Sequence, residues 1–232
     1  MTIWHRFGRQ LREPSGWAGR LTGHFMRLVN RAPNRLAVAA LDLTPDAHVL
    51  ELGFGPGEAI AALVDRLPDG VIEGIDRSAA MLAQASLRNR AAVQAGRVRL
   101  RLGDFASLPY ADASFDAVLA INIAYFWTDA SAAVREIRRV LKPDGQLVLY
   151  ATDARSMRRW KFAGPQTHRL FDLNALRVVL LAGGFRPDNI TISKRRLGAN
   201  IVGLVARARN ATTFVRQIAD RPGTLTEWGL HG

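Results

Sequence analysis

Between Ala47 and Ala151, short apolar runs alternate with stretches whose apolar residues recur every three or four positions. That alternation is the mark of βαβ units feeding a parallel sheet. The runs predict strands over Ala47–Leu52, Val71–Ile75, Val98–Leu102, Phe115–Ile121 and Gln146–Tyr150. The fourth is apolar almost throughout, as expected of a strand buried on both faces. Helical spacing covers Glu58–Leu67, Ser78 to about Val93, and Asp129–Leu141. Turn signals close each helix: Pro68-Asp69-Gly70, Gly96, and Lys142-Pro143-Asp144-Gly145. Beyond the fifth strand the pattern predicts a helix over Asp172–Ala182. Two more strands follow, Asn189–Ser193 and Ile201–Ala206, paired antiparallel across a short loop. Ahead of the sheet, Gly16–Asn30 places Trp17, Leu21, Phe25 and Leu28 on one helical face. Such a helix either packs over the domain as a lid or lies on a membrane surface. The expected division is a front lid segment over residues 1–45, a main domain over 46–208 and a peripheral tail over 209–232.

At 232 residues, the chain suits one sizeable domain rather than two independent cores. It has no cysteine, which excludes disulfides, thiolate metal sites and every cysteine nucleophile. No run approaches the ~20 apolar residues of a membrane span. The opening Met1-Thr2-Ile3-Trp4-His5-Arg6 lacks the apolar core of a secretory signal, so the expected compartment is the cytoplasm. The formal net charge of +12 is unevenly spread. Residues 46–150 are slightly acidic, with 11 Lys/Arg against 13 Asp/Glu, and the excess lies in the two flanks. An anionic partner and a plain solvated basic surface both fit that pattern.

The most informative segment is Leu50-Glu51-Leu52-Gly53-Phe54-Gly55-Pro56-Gly57-Glu58. A buried strand runs into a glycine-rich turn and then a helix, where backbone can approach a ligand closely and helix N–H groups face it. A hydride-transfer site would want a third glycine where Glu58 stands, and no carboxylate at Glu51. Asp76 ends the second strand, 19 residues after Gly57, where a carboxylate can accept two hydrogen bonds from a ribose diol. Asp104 ends the third strand, placed to accept from an exocyclic adenine amine, with the Phe105 N–H beside it. One acid at a strand end is usually a cap. Three markers on three successive strand ends, in this order, point to a nucleoside.

With these residues the chain resembles the class I S-adenosylmethionine-dependent methyltransferases. The resemblance is strong over about 48–150 and includes Leu108-Pro109-Tyr110-Ala111-Asp112-Ala113-Ser114-Phe115-Asp116 and Arg138-Arg139-Val140-Leu141-Lys142-Pro143-Asp144-Gly145. It implies a Rossmann-like, doubly wound α/β fold with a seven-stranded sheet, mostly parallel with an antiparallel last strand. It also implies S-adenosylmethionine across the strand C-terminal ends, leaving S-adenosylhomocysteine as product. Glu51, Gly53 and Gly55 would flank the methionine moiety and Asp76, with Arg77 beside it, the ribose. Asp104 and Phe105 would hold the adenine, with Met81 packed on the ring. Asn122 would touch the amino-acid part through its backbone. Asp144 stands where the family more often has a second glycine, which concerns a turn and not the site.

Methyl transfer from a sulfonium disperses charge, so the protein contributes mainly positioning and desolvation. A general base matters only where the acceptor must lose a proton. His168 and Tyr125 are the candidates, and Tyr125-Phe126-Trp127 is a possible aromatic wall of the acceptor pocket. Cytosine carbon-5 and arsenic methylation need a cysteine. Exocyclic-amine base methylation resembles Asn-Pro-Pro-Tyr, where this chain has Asn122-Ile123-Ala124-Tyr125. The metal-dependent catechol type and ribose methylation want an acid at Asn122. A small-molecule acceptor, anionic or aromatic, is therefore expected, and nucleic acid is disfavoured. A phospholipid amine, with peripheral membrane contact through the front helix, and a non-catalytic cofactor-binding module remain as alternatives.

Overall fold

The computed structural model describes residues 29–160, 163, 168–198 and 200–211. The front helix expected over Gly16–Asn30 lies outside these except for its last two residues, and so does the tail from residue 212. Residues 29–39 are helical (α1). The order that follows is β1 (His48–Leu52), α2 (Glu58–Arg66), β2 (Val71–Asp76), α3 (Ala79–Arg88), α4 (Arg90–Gln94), β3 (Val98–Leu102) and β4 (Phe115–Ile121). After β4 come α5 (Ala130–Val140), β5 (Leu141–Thr152), α6 (Ala154–Met157), α7 (Leu173–Ala182), β6 (Ile190–Arg196) and β7 (Val202–Arg209).

The seven strands form one sheet in the order β3-β2-β1-β4-β5-β7-β6. All neighbours are parallel except β7, which runs antiparallel to both β5 and β6. This is the doubly wound Rossmann-like α/β fold. The two-residue period of the strands divides the core. Leu50, Leu52, Val118, Ala120, Leu147 and Leu149 face one layer with α5 and α7. Val49, Ala117, Leu119, Ile121 and Val148 face the other with α1, α2 and α3. Ile60 and Leu63 of α2 are wholly buried, each burial stabilising by about 1.5–3 kcal/mol. The Arg66 guanidinium at the end of α2 donates to the carbonyls of Val38 and Leu41, which fixes the end of α1 against the domain.

Apart from β6 and β7, which run on to Arg196 and Arg209 where ends at Ser193 and Ala206 are expected, two elements differ from the sequence expectation. The helix expected from Ser78 to about Val93 is two, divided at Asn89 (φ −100°, ψ 23°). The Asn89 amide donates to the carbonyls of Gly57 (3.1 Å) and Ala85 (2.9 Å), so its side chain competes with the helical ladder and ties the break to the glycine loop. The Lys142–Gly145 turn is a bulge at the start of β5: Leu141 already pairs with Phe115, and the register shifts before Ala117. Asp144 there has φ +61°, a left-handed conformation that glycine meets without strain. Asn210, just past β7, closes the bulge by accepting from Asp144 N (3.0 Å) and donating to Gly145 O (2.8 Å).

Candidate active site

The sheet order reverses between β1 and β4, and in such sheets a crevice opens outside the strand C-terminal ends. A cleft open to solvent lies there. Glu51, Gly53, Gly55, Asp76, Arg77, Met81, Phe105 and Asn122 all line it. The loop that forms its floor needs two special glycines. Gly53 has φ +65°, and a Cβ on it would lie 2.3 Å from the Ile123 side chain. Gly57, the residue before α2, has φ +78°, and a Cβ there would lie 2.8 Å from that of Ala85.

The amides of this loop are turned inward. Gly53 N donates to Ile75 O (2.8 Å) and Gly57 N to Phe54 O (3.0 Å). Gly55 N donates to Asp76 Oδ2 (2.9 Å). The N–H groups of Gly53 and Gly55 therefore hold the loop against β2 and that of Gly57 closes a turn within it, so the three glycine amides do not form an open anion cradle.

Asp76 is 8% exposed, and its other oxygen accepts from Ser78 N (2.8 Å). Burial raises its pKa against the lowering effect of these backbone donors. Each carboxylate oxygen keeps acceptor capacity, so the residue is fixed in place and still able to receive hydroxyl donors. Glu51 is 2% exposed, and its Oε2 has no hydrogen-bond partner among the described residues. Burial, with the charge of Asp76 behind it, pushes the Glu51 pKa well above the usual carboxylate range. An orphaned carboxylate in a cleft is a strong signal for a missing donor, and a cationic one fits best.

Arg77 stacks its guanidinium 5.1 Å from the centroid of Phe105 and pairs with Asp104. Asp104 does not line the cleft. It is exposed at the rim, and Arg77 and the Ala106 N–H hold its pKa below the ordinary range. The expected adenine-amine acceptor is thus turned toward Arg77, the nearer donor. Met81 is buried in the first turn of α3, where Ser78 caps the helix by accepting from Met81 N.

Asn122 sits at φ +55° at the end of β4, with its N–H bonded to Tyr150 O (2.9 Å). Any backbone contact to a ligand therefore falls to its carbonyl. Its side chain donates to Asn30 Oδ1 (2.8 Å) and accepts from the Tyr125 hydroxyl (2.7 Å). That hydroxyl also accepts from Thr152 N. Tyr125 is consequently held behind Asn122, out of the cleft, and burial raises its pKa further from neutrality. The hydroxyl of this expected base candidate therefore faces Asn122 and Thr152 and not the cleft. His168 is 4% exposed and packs behind Phe126, with ring centroids 4.9 Å apart, so it too does not line the cleft. Of the aromatic trio only Phe126 reaches the cavity, because the short 3-10 turn Ala124–Phe126 turns its two neighbours inward. The cleft also takes Asn30 and Asn34 from α1, which composition and motif reading passed over. Their spacing of four on a helix was the available signal.

Residues 50–149 match the family described as a methyltransferase domain. An uncharacterized methyltransferase of Bacillus subtilis, YdaC, is 32% identical over 129 residues, which cover 56% of this chain and 69% of that protein. The ubiquinone/menaquinone biosynthesis C-methyltransferase UbiE of Geotalea daltonii is 32% identical over 123 residues, covering 52% of each chain. The chain thus spans about half the length of this second relative. Among solved structures, the [4+2]-cyclase SpnF superposes with a TM-score of 0.66 at 22% identity, over 79% of this chain and 82% of that one. That likeness speaks for the fold alone. The sequence relatives and the glycine loop go further: the chain belongs to the class I S-adenosylmethionine-dependent methyltransferases.

Proposed function

We propose that the protein methylates a small, largely apolar acceptor that enters beside Phe126. S-adenosylmethionine, when bound, supplies an electrophilic methyl group on a sulfonium. The chain's own residues fit such a group: Asp76 offers fixed acceptor oxygens for a ribose, and Phe105 and Met81 offer apolar faces for a base. Glu51 offers an unpartnered carboxyl oxygen toward the cationic end, whose charge would favour the ionised form. Ile121, Ile123 and Phe126 exclude water from the far side, where no charged side chain lines the cleft among the described residues.

The single observation that carries the reading is Glu51, a buried carboxylate inside the cleft whose Oε2 has no partner among the described residues. Catalysis on this account is positioning and desolvation, without a base from Tyr125 or His168. The quinone-pathway name of one relative fits an apolar, ring-bearing acceptor. The phospholipid-amine alternative draws no observation from the described residues.

The test incubates the protein with methyl-labelled cofactor and a metabolite extract, and seeks a labelled product one methylene heavier than its precursor. Phe126→Ala should raise KM for that product's precursor more than it lowers kcat. Label confined to nucleic acid or protein would overturn the small-molecule reading.

A further inference from the structure

The cleft supplies acceptors in abundance and donors sparingly. Its two buried carboxylates, Glu51 and Asp76, suit a ligand's hydroxyl and ammonium groups. A zwitterionic amino-acid tail also carries a carboxylate, which needs N–H donors. The amides of Gly53, Gly55 and Gly57 are engaged within the protein. The Arg77 guanidinium pairs with Asp104 through Nη2 and stacks over Phe105, which ties it to the base-binding side although its Nε has no partner among the described residues, and the Asn122 amide donates to Asn30.

Two neutral side-chain amides remain open on the α1 side of the cleft wall. Asn30 uses its Oδ1 to accept from Asn122, so its NH₂ end has no partner among the described residues. Asn34 lies one turn further along the same face of α1, and its amide likewise has no partner among them. Both are half-buried and both line the cleft. Asn30 is oriented by a chain that runs through Asn122 and Tyr125 to the backbone of Thr152. This chain fixes α1 to the ends of β4 and β5 and so presets the amide direction.

We propose that Asn30 and Asn34 form the receptor for the carboxylate of the cofactor's amino-acid tail, opposite in chemistry to Glu51, which takes its ammonium. The inference rests on the cofactor placement given above. It makes α1 a part of the binding site and not merely a cover over it. Two neutral amides suit this role because a cationic side chain there would compete for Glu51.

The experiment compares two ligands that differ in one group: S-adenosylmethionine and its decarboxylated form, each titrated calorimetrically into the full chain. The wild type should bind the intact cofactor more tightly. Asn34→Ala should weaken it about tenfold, in line with one hydrogen bond to a charged group, and leave the decarboxylated form unchanged. Asn30→Asp keeps the oxygen that accepts from Asn122 but sets a negative charge against the carboxylate. It should weaken the intact cofactor more than Asn34→Ala does and spare the decarboxylated ligand. Equal loss for both ligands, or loss for neither, would overturn the assignment. If the wild type binds neither ligand, the cofactor placement itself falls, an outcome distinct from binding that ignores the carboxylate.

Discussion

Glu51 and Glu73 stand on neighbouring strands, where Leu50 pairs with Glu73 and Glu51 with Gly74. Both are almost sealed from water, at 2% and 6% exposure. They point to opposite faces, one register step apart. Glu73 faces His48 at 3.3 Å, Arg101 at 3.7 Å and Arg99 at 3.8 Å, so it has charged neighbours although its Oε2, like that of Glu51, accepts no hydrogen bond among the described residues. The His48 contact, with burial opposing it and the two arginines assisting, holds its pKa below the ordinary value. Glu51 has no such company, and its pKa goes the other way. A buried carboxylate toward the middle of the sheet is neutralised by permanent partners. One at the C-terminal end is left for something that comes and goes. The unfavourable burial of Glu51 is the local instability expected where structure is shaped for a ligand.

The strongest test of that division is at Asp76, the second carboxylate of the site end. Asp76→Ala should weaken S-adenosylhomocysteine by about 1.5–3 kcal/mol, or roughly ten- to a hundredfold, as acceptor bonds to a charged group are lost. Calorimetry reads the affinity, and the melting temperature should fall as well because Gly55 N and Ser78 N lose their partner. Affinity within twofold of the wild type would break the comparison at its first premise.

Next in size are the two glutamates themselves, where the signs should oppose. Glu51→Gln removes an uncompensated buried charge, so the ligand-free melting temperature should rise while cofactor affinity falls about tenfold. Glu73→Gln removes the centre of an ion cluster, so stability should drop by about 1 kcal/mol while affinity holds. The arginines around it are largely exposed and return to water, which keeps the loss small. Parallel behaviour of the two variants, in either readout, would show that position in the sheet does not sort their roles.

The pH dependence sharpens the same contrast. Glu51 has a folded pKa above its unfolded value, so the unfolded chain loses this proton first as pH rises. Its contribution is intact below the ordinary carboxylate pKa of 4.5 and erodes on the way up toward the raised folded value. Glu73 is the reverse: its contribution is present above 4.5 and lost as pH falls through its lowered folded value. Thermal melts of the ligand-free protein from acid to alkaline pH should therefore show Glu51→Gln gaining on the wild type as pH rises. Glu73→Gln should close its deficit only at the acid end.

How far the sequence reached also divides along this line. The strand ends were legible because parallel strands buried on both faces leave unbroken apolar runs, and the glycine loop marked the cleft beneath them. Glu51 and Asp76 could be placed as site residues from their positions alone. Their different states could not, since the unpartnered Oε2 depends on what β2 and α1 bring near. Tyr125 looked like an acceptor-side hydroxyl because it follows β4, yet a single 3-10 turn exchanges it for Phe126. The part played by Asn30 stayed hidden because α1 reaches Asn122 across 92 positions of sequence. Asn89 read as an ordinary helical residue, because nothing in local spacing reveals a bond to Gly57.

The smallest expected effect lies at the end of the sheet away from the site. Asp144 holds φ +61° in the bulge before the main run of β5, near Lys142 and Asp116, which pair at 2.9 Å. A left-handed L-residue carries a steric cost of about 1–2 kcal/mol, less for aspartate, and glycine relieves it while losing more entropy on folding. Asp144→Gly should thus stabilise the protein by about 0.5 kcal/mol net, and Asp144→Ala should destabilise it by about 1 kcal/mol. In a chain of this size the glycine variant gains about 1–2 °C in melting temperature. Neither variant should alter S-adenosylhomocysteine affinity, because the bulge is closed by Asn210 and touches no residue of the cleft. A change in affinity would mean that the two ends of the sheet are coupled, and that the carboxylates at its C-terminal end do not answer to the ligand alone.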